Sequence, residues 1–342
     1  MALIQREVVE QRRWLSPDRF LEGFTLAQIL PGPTSTQMAI YVGYRLHRIR
    51  GALITGCAFI LPAFLLLTVL TWFYFRFGSL PAIQGLFYGM TPAVLAMILL
   101  SGYSLGKQAA GDWILRTIAA ASAVAIALFA FNIVLLFALS GALTLALYGP
   151  LGKMGSSPRL RAVAPLPVLA GLGWYFLKVG ALIFGGGMVM VPMLEQQVVG
   201  QFGWLTHREF MDGLALGQIT PGPVVITATF IGYKVAGFAG AVVATVAIFL
   251  PSFFFVFLAS AFIRQFERSA MLQAAFKGIN AAAVGAILGS AVPLSRAALA
   301  GTFHIAWFAV ALIAMFRFQV SFLKVLAAGA ILGLAAQWLG IA

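Results

Sequence analysis

The chain has 342 residues, of which 62% are hydrophobic and only 9% charged, with a mean hydropathy of +0.99; a soluble chain carries about 25% charged residues. Its net charge is +13, from 22 Lys and Arg against 9 Asp and Glu. In a soluble protein that excess points to nucleic acid, but in so apolar a chain it reads as the basic residues that collect in cytoplasmic loops, so the expected surrounding is a lipid bilayer and no nucleic-acid partner.

Taken in chain order, residues 3–15 form an amphipathic segment, with Ile4, Val8 and Leu15 on one side and Arg6, Glu7, Glu10, Arg12 and Arg13 away from it. Such a segment is expected to lie along the membrane surface, and it has no signal-peptide character. Apolar segments follow at 20–44, 51–75, 80–106, 113–131 and 133–148. The Gly-, Pro- and Ser-rich basic stretch 149–167 reads as a cytoplasmic linker. Beyond it lie further apolar segments at 168–194, 210–233, 239–263, 271–294, 297–316 and 321–341. Several reach the roughly 20 residues that cross a hydrocarbon core of about 30 Å. The expected class is an all-α polytopic membrane protein, with transmembrane units over 1–148 and 168–342.

The two units repeat each other. Gln28-Ile29-Leu30-Pro31-Gly32-Pro33 recurs as Gln218-Ile219-Thr220-Pro221-Gly222-Pro223 at an offset of 190, which also pairs Trp14-Leu15 with Trp204-Leu205 and Glu22 with Asp212. Beyond the motif the offset becomes 189 and pairs Gly43-Tyr44 with Gly232-Tyr233 and Leu61-Pro62 with Leu250-Pro251. Residues 3–107 and 193–296 are thus one unit used twice. Segment 168–194 has no counterpart in the first unit, which is expected to lack its first helix.

Charge counting sets the topology. If all eleven segments cross, Lys and Arg divide ten against ten between the two sides. If 20–44 and 210–233 instead turn back at Pro-Gly-Pro, where two prolines remove backbone donors, the division is sixteen against four. That is the bias expected of a real topology. It leaves about nine crossings and two re-entrant segments, and the odd number of crossings between the motifs makes the repeats inverted. Inverted repeats with broken helices are the architecture of secondary transporters.

The half-helix after each break opens with free N–H groups and a positive dipole end, a natural anion site. Thr34-Ser35-Thr36-Gln37 adds hydroxyl and amide donors after the first break, whereas Val224-Val225-Ile226-Thr227 is more apolar. Pro31, Gly32 and Pro33, with Pro221, Gly222 and Pro223, are therefore candidate binding positions, and a simple packing kink is the competing explanation. Gln28 and Gln218 either orient the motif backbone or contact substrate. Lys178 either meets the anion or reaches to the interface. Glu22 and Asp212, in the first turns of the broken segments, are candidate proton-coupling groups or stabilise helix N-termini. Gly185, Gly186 and Gly187 either allow close packing or expose backbone amides. The lone Cys57 excludes disulfides and thiolate metal sites. His47, His207 and His304 form no metal-binding pattern, and no Walker-type loop is present. No enzyme activity, cofactor or metal is expected.

These motifs are similar to a known family. Arg12-Arg13-Trp14-Leu15, Gln28 to Gln37 and Tyr41-Val42-Gly43-Tyr44 resemble the chromate ion transporter family, as do Phe184-Gly185-Gly186-Gly187, Trp204-Leu205 and Gln218 to Pro223. The resemblance covers nearly the whole chain and matches the long, two-domain form. It implies chromate efflux across a bacterial inner membrane, with sulfate as the related oxyanion; another small anion, carried or passed through a channel, is the alternative. A homodimer is the candidate assembly. Family members usually open with a helix bearing Phe-Gly-Gly-Pro in the first half, and that motif does not occur in this sequence.

Overall fold

The computed structural model describes residues 2–109, 111–148, 168–183 and 187–340. Among them every regular element is helical. In the first half the chain forms α1 (Ala2–Gln5), which continues as a π-helix over Arg6–Gln11, then α2 (Pro17–Ile29), α3 (Thr34–Phe77), α4 (Pro81–Ala109), α5 (Trp113–Phe129) and α6 (Ile133–Tyr148). The second half begins with α7 (Val168–Ala181) and α8 (Met190–Leu194), which continues as a π-helix over Glu195–Gln201. It then forms α9 (His207–Ile219), α10 (Thr227–Arg268), α11 (Ala270–Ala298), α12 (Thr302–Arg317) and α13 (Phe322–Trp338). The linker expected over 149–167 and the candidate residues Gly185 and Gly186 lie outside the described residues.

Helix boundaries recur at the sequence offsets. Shifting α2 by 190 gives α9, and shifting α4 by 189 gives α11. The hairpin α12–α13 begins 189 residues after α5–α6, at Thr302 and Phe322 against Trp113 and Ile133. The matching boundaries therefore run past residues 107 and 296, where sequence identity ends. Helix length and apolar packing persist after the individual side chains have diverged.

Four helical stretches are long and apolar enough to cross a membrane: Thr34–Phe77, Pro81–Ala109, Val224–Ala259 and Gln273–Ala298. Five more apolar helices, α5, α6, α7, α12 and α13, have 14 to 17 residues, about 21–26 Å at 1.5 Å per residue. The chain is a multi-pass membrane protein.

One expectation needs correction. The apolar segment 168–194 is not one helix. α7 stops at Ala181, a 3₁₀ turn spans Gly187–Val189, and α8 starts at Met190. The triple glycine has low helical propensity, and the carbonyl of Ile183 is used by another element, as described below. Segments 20–44 and 51–75 are separate, as expected. Within Thr34–Phe77 the helix is interrupted at His47 (φ −138°) and Arg48 (φ +53°) and the chain folds back there, so that the Thr55 hydroxyl donates to the Ala39 carbonyl at 2.8 Å across 16 residues.

The halves are interleaved. α4 packs against α12 and α13, while α11 packs against α5 and α6, so each half's hairpin covers the other half's central helix. α10 lies against α7 and α3. Small residues make the contacts close: a Cβ on Gly89 of α4 would fall inside van der Waals distance of the Gly329 carbonyl on α13, and Gly85 and Gly333 meet in the same way one turn along. Spaced four apart on both helices, these glycines bring backbones together where lipid supplies no hydrophobic drive. In the N-terminal segment, Val8 and Leu15 are buried with Ile4 packed beside them, so its apolar side faces protein.

Loops are held by capping. Asp112 caps α5, accepting from the Leu115 amide at 2.9 Å and from the Tyr148 hydroxyl at 2.6 Å. Those two bonds, the phenol first, hold its carboxyl below the usual carboxylate range. A depressed folded value means the stabilisation is complete above the ordinary aspartate pKa of about 3.9 and is lost as pH falls through the folded value. Asp112→Asn is expected to lower the thermal midpoint of the detergent-solubilised protein at neutral pH, with the gap to wild type closing as pH is taken to about 3. A gap that stays constant with pH would mean that the carboxylate charge contributes nothing.

Candidate functional site

The candidate site is built on the first Pro-Gly-Pro break. α2 ends at Ile29, Leu30 turns extended, Gly32 takes φ +131°, and α3 begins at Thr34. Proline has no N–H to continue the ladder of α2, and a φ of that sign is open to glycine at little cost. The break is held on three sides. The Gln37 side-chain amide donates to the Pro31 carbonyl at 2.6 Å, and the Gln37 backbone N–H to the Pro33 carbonyl at 3.0 Å. The Gly32 N–H donates to the carbonyl of Ile183 at 2.7 Å, which joins the break to the interruption after α7.

The chain doubles back here. Arg45 Nη2 lies 3.0 Å from Glu22 Oε2, although 23 residues of continuous helix would hold them about 35 Å apart. The second break does the same, with Lys234 Nζ 2.8 Å from Glu209 Oε1. The glycines also exchange neighbours between halves. A Cβ on Gly32 would strike Ser252 Oγ of α10, and one on Gly222 would lie 2.7 Å from the Ala63 side chain of α3. Ser252 and Ala63 each follow the proline of the repeated Leu-Pro.

The breaks differ in burial and in donors. Pro31, Gly32 and Pro33 are all buried, whereas Pro221 and Gly222 are exposed and only Pro223 is buried. Thr36, Gln37 and Ser252 are fully buried, and Thr36 Oγ1, Gln37 Oε1 and Ser252 Oγ have no hydrogen-bond partner among the described residues. Unsatisfied hydroxyls of that kind are costly in an apolar interior. The Thr36 and Ser252 hydroxyls and the free N–H groups at the start of α3 are neutral donors, whereas Gln37 Oε1 is an acceptor.

Two cavities of about 350 Å³ each reach the starts of the two half-helices. The first is lined by Gln28, Thr34, Gln108, Val189 and Asn280, with Phe24 at its side. The second is lined by Ser101, Ser104, Gly187, Met188 and Val224. Leu105 borders both, and the turn Gly187–Val189 contributes to each. A larger cavity of about 580 Å³ between α3 and α10 is walled by Phe64, Phe249, Phe253 and other apolar side chains, and offers an anion almost no donor.

The chromate transporter family model matches residues 1–145 and 170–334. The chain belongs to the chromate transporter family. Over 356 residues it is 36% identical to the chromate transport protein of Cupriavidus metallidurans, covering 97% of this chain and 87% of that protein. It is 36% identical to the probable chromate transport protein of Synechococcus elongatus over 86% of this chain and 79% of that one. The chromate transport protein of Pseudomonas aeruginosa is 31% identical over 86% of this chain and 76% of its own length. No solved structure matches the chain.

Within this chromate transporter family fold, the residues singled out from sequence fall in different places. Gln28 and Thr34 line the first cavity, while Ser35 is partly exposed beside it in the chain. Gly187 borders the second cavity. Gln218 has a buried amide nitrogen without a partner among the described residues, just before the second break. Lys178 lies on the exposed face of α7, with its ammonium 5.9 Å from the centroid of the Trp174 ring one turn earlier. Residues 175, 176, 179 and 180 take the buried face of α7, and the position of Lys178 on the helix follows from that. Glu22 is engaged by Arg45, whereas Asp212 is buried and bonded to Tyr74.

Ser252, Gln108, Asn280, Ser101 and Ser104 were not legible as site residues. Ser252 carried the one available signal: it stands where the first unit has Ala63, so the repeat is broken at that position. The others are isolated polar residues in apolar helices, with no motif around them.

Proposed function

We propose that this chain is a secondary transporter that exports chromate, a sulfate-like tetrahedral oxyanion, across a bacterial inner membrane by alternating access. The observation that carries the reading is the buried first break: the N-terminus of α3, the buried hydroxyls of Thr36 and Ser252, and an amide-lined cavity that reaches Thr34 at the start of the same helix. Neutral donors and a helix N-terminus suit a dianion that has to be released again. A lysine in the site would hold it more tightly. The likeness to proteins named chromate transport proteins supports chromate as the cargo.

Nine crossings and two re-entrant hairpins fit the doubling back of both broken segments and the sixteen-to-four division of basic residues. The two inverted units then move against each other, with Leu105 and the turn Gly187–Val189 between the two cavities. Export down an inside-negative potential is favourable for an anion by about 2.3 kcal/mol per charge per 100 mV. Outward transport needs no nucleotide hydrolysis.

The test is uptake of chromate into everted membrane vesicles carrying the full chain, with and without excess sulfate. Saturable, sulfate-sensitive uptake with counterflow is expected. Linear flux without counterflow would make the protein a pore, and no sulfate-sensitive uptake by an inserted protein would end the reading. Thr36→Val and Ser252→Ala each remove one hydrogen bond to a charged ligand, worth about 1.5–3 kcal/mol. Each is expected to raise the half-saturating chromate concentration roughly tenfold to a hundredfold, with insertion unchanged.

A further inference from the structure

The repeat aligns Glu22 with Asp212, but the fold gives them different surroundings. The Glu22 and Arg45 side chains are 30% and 31% exposed and pair at 3.0 Å. Asp212 is 2% exposed. Its Oδ2 accepts from the Tyr74 hydroxyl at 2.8 Å, and its Oδ1 is buried with no hydrogen-bond partner among the described residues. No ion pair with Asp212 occurs among the described residues.

No charged side chain contacts the Asp212 carboxyl among the described residues. From its own helix, Arg208 and Glu209 act on Asp212 only through space, and Glu209 is held by Lys234 of α10. In the π-helix before α9, Glu195 is held by His207. From α3 the facing group is Tyr74, and α4, α11 and α13 place no ion pair on the carboxyl among the described residues. A buried carboxylate without a cation in contact is uncompensated, and a proton is the smallest species that supplies the compensation. Tyr74 lies on α3 of the first half and Asp212 on α9 of the second, so the bond ties the two halves together. Gln218, whose amide nitrogen has no partner among the described residues, follows six residues later at the second break.

We propose that Asp212 is a proton-binding site whose occupancy sets the strength of the α3–α9 tie. One proton passes from hydronium of the aqueous phase to Oδ1: an O–H bond of hydronium breaks and leaves water, an O–H bond forms on the carboxyl, and the carboxylate charge is cancelled; deprotonation to water reverses each change. In the ionised form the Tyr74 hydroxyl makes a charge-assisted bond and holds α9 to α3. In the protonated form that bond is weaker and α9 is freed. The proton site stands on this geometry alone; only its use as a coupling ion rests on the transport reading above.

The experiment is infrared difference spectroscopy of the full-length protein in lipid between about pH 5 and about pH 9, a range that brackets most perturbed carboxyl groups. A titrating carbonyl band of a protonated carboxylic acid is expected, lost in Asp212→Asn and retained in Glu22→Gln. Tyr74→Phe removes a donor that favours the ionised form, and should move the midpoint upward by roughly one to two pH units. Should Asp212→Asn fail to fold, the Tyr74→Phe shift decides. A wild type without the band, a band that survives Asp212→Asn, or a midpoint indifferent to Tyr74→Phe overturns the proposal. Vesicle flux measured in parallel separates the two readings. A titrating band without chromate flux leaves the proton site standing and removes export, and flux without the band does the reverse.

Discussion

Gly32→Ala is expected to reduce chromate flux by about a hundredfold or more while the protein still inserts. Two costs add. The backbone there has φ +131°, a region that residues with a Cβ adopt only at about 1–3 kcal/mol. The new Cβ would also strike Ser252 Oγ and lie 2.7 Å from Gln37 Nε2. Relief of either contact moves the amide that holds the Pro31 carbonyl, or the serine that supplies a donor. About 3 kcal/mol at the site corresponds to roughly a hundredfold in binding. Gly222→Ala is the matched control. Gly222 is exposed, has no positive φ, and would meet only the Ala63 side chain. Its flux should fall far less. Equal losses in the two variants, measured as initial uptake into everted vesicles, would show that burial of the first break has no bearing on transport.

The second large effect is on assembly. Gly89→Leu should leave little folded protein, read as loss of the monodisperse peak on size exclusion in detergent. The residue facing Gly89 is Gly329, and the nearest atoms are backbone on both sides, so the contact cannot relax by turning a side chain. The Gly89 carbonyl also accepts from Trp307 Nε1 at 2.9 Å, which fastens α12 to the same place. Overpacking costs about 1–3 kcal/mol and occasionally more. A rigid backbone contact belongs at the upper end, against a total stability of about 5–15 kcal/mol. Gly171→Ala in α7, where an added methyl meets nothing within 4 Å, should leave the peak unchanged. A monodisperse Gly89→Leu protein would mean that α4 and α13 are not held by this contact.

Much of the architecture was legible because its causes are local. A proline lacks its N–H wherever the chain goes, so the breaks at 31–33 and 221–223 could be placed before any packing was known. The repeated Gln-X-X-Pro-Gly-Pro likewise fixed which helices correspond, and α2 and α9 begin and end at the expected offset. The apolar composition of 168–194 reads as one continuous helix, but the chain leaves helix after Ala181 and resumes it at Met190. The effect of the three consecutive glycines appears only where Ile183 gives its carbonyl to Gly32. For Lys178 the chain leaves two roles open, contact with the anion or reach to the interface, and the structure puts it on the exposed face of α7. Its depth along the helix follows from the chain, but the face it occupies does not.

That difference is general for a chain of this kind. The sequence alone determined the membrane class, the twofold use of one unit, the two broken segments and the family, since composition, proline chemistry and motif spacing are properties of the chain itself. The tertiary structure decided which break is buried, that Ser252 lies against Gly32, that Lys178 is exposed and that Asp212 meets Tyr74, with no ion pair among the described residues. In a soluble protein the apolar face of a helix marks its buried side. Here lipid and core are equally apolar, so hydropathy does not tell the two faces apart, and only the packing of helices from both halves selects the side chains that meet.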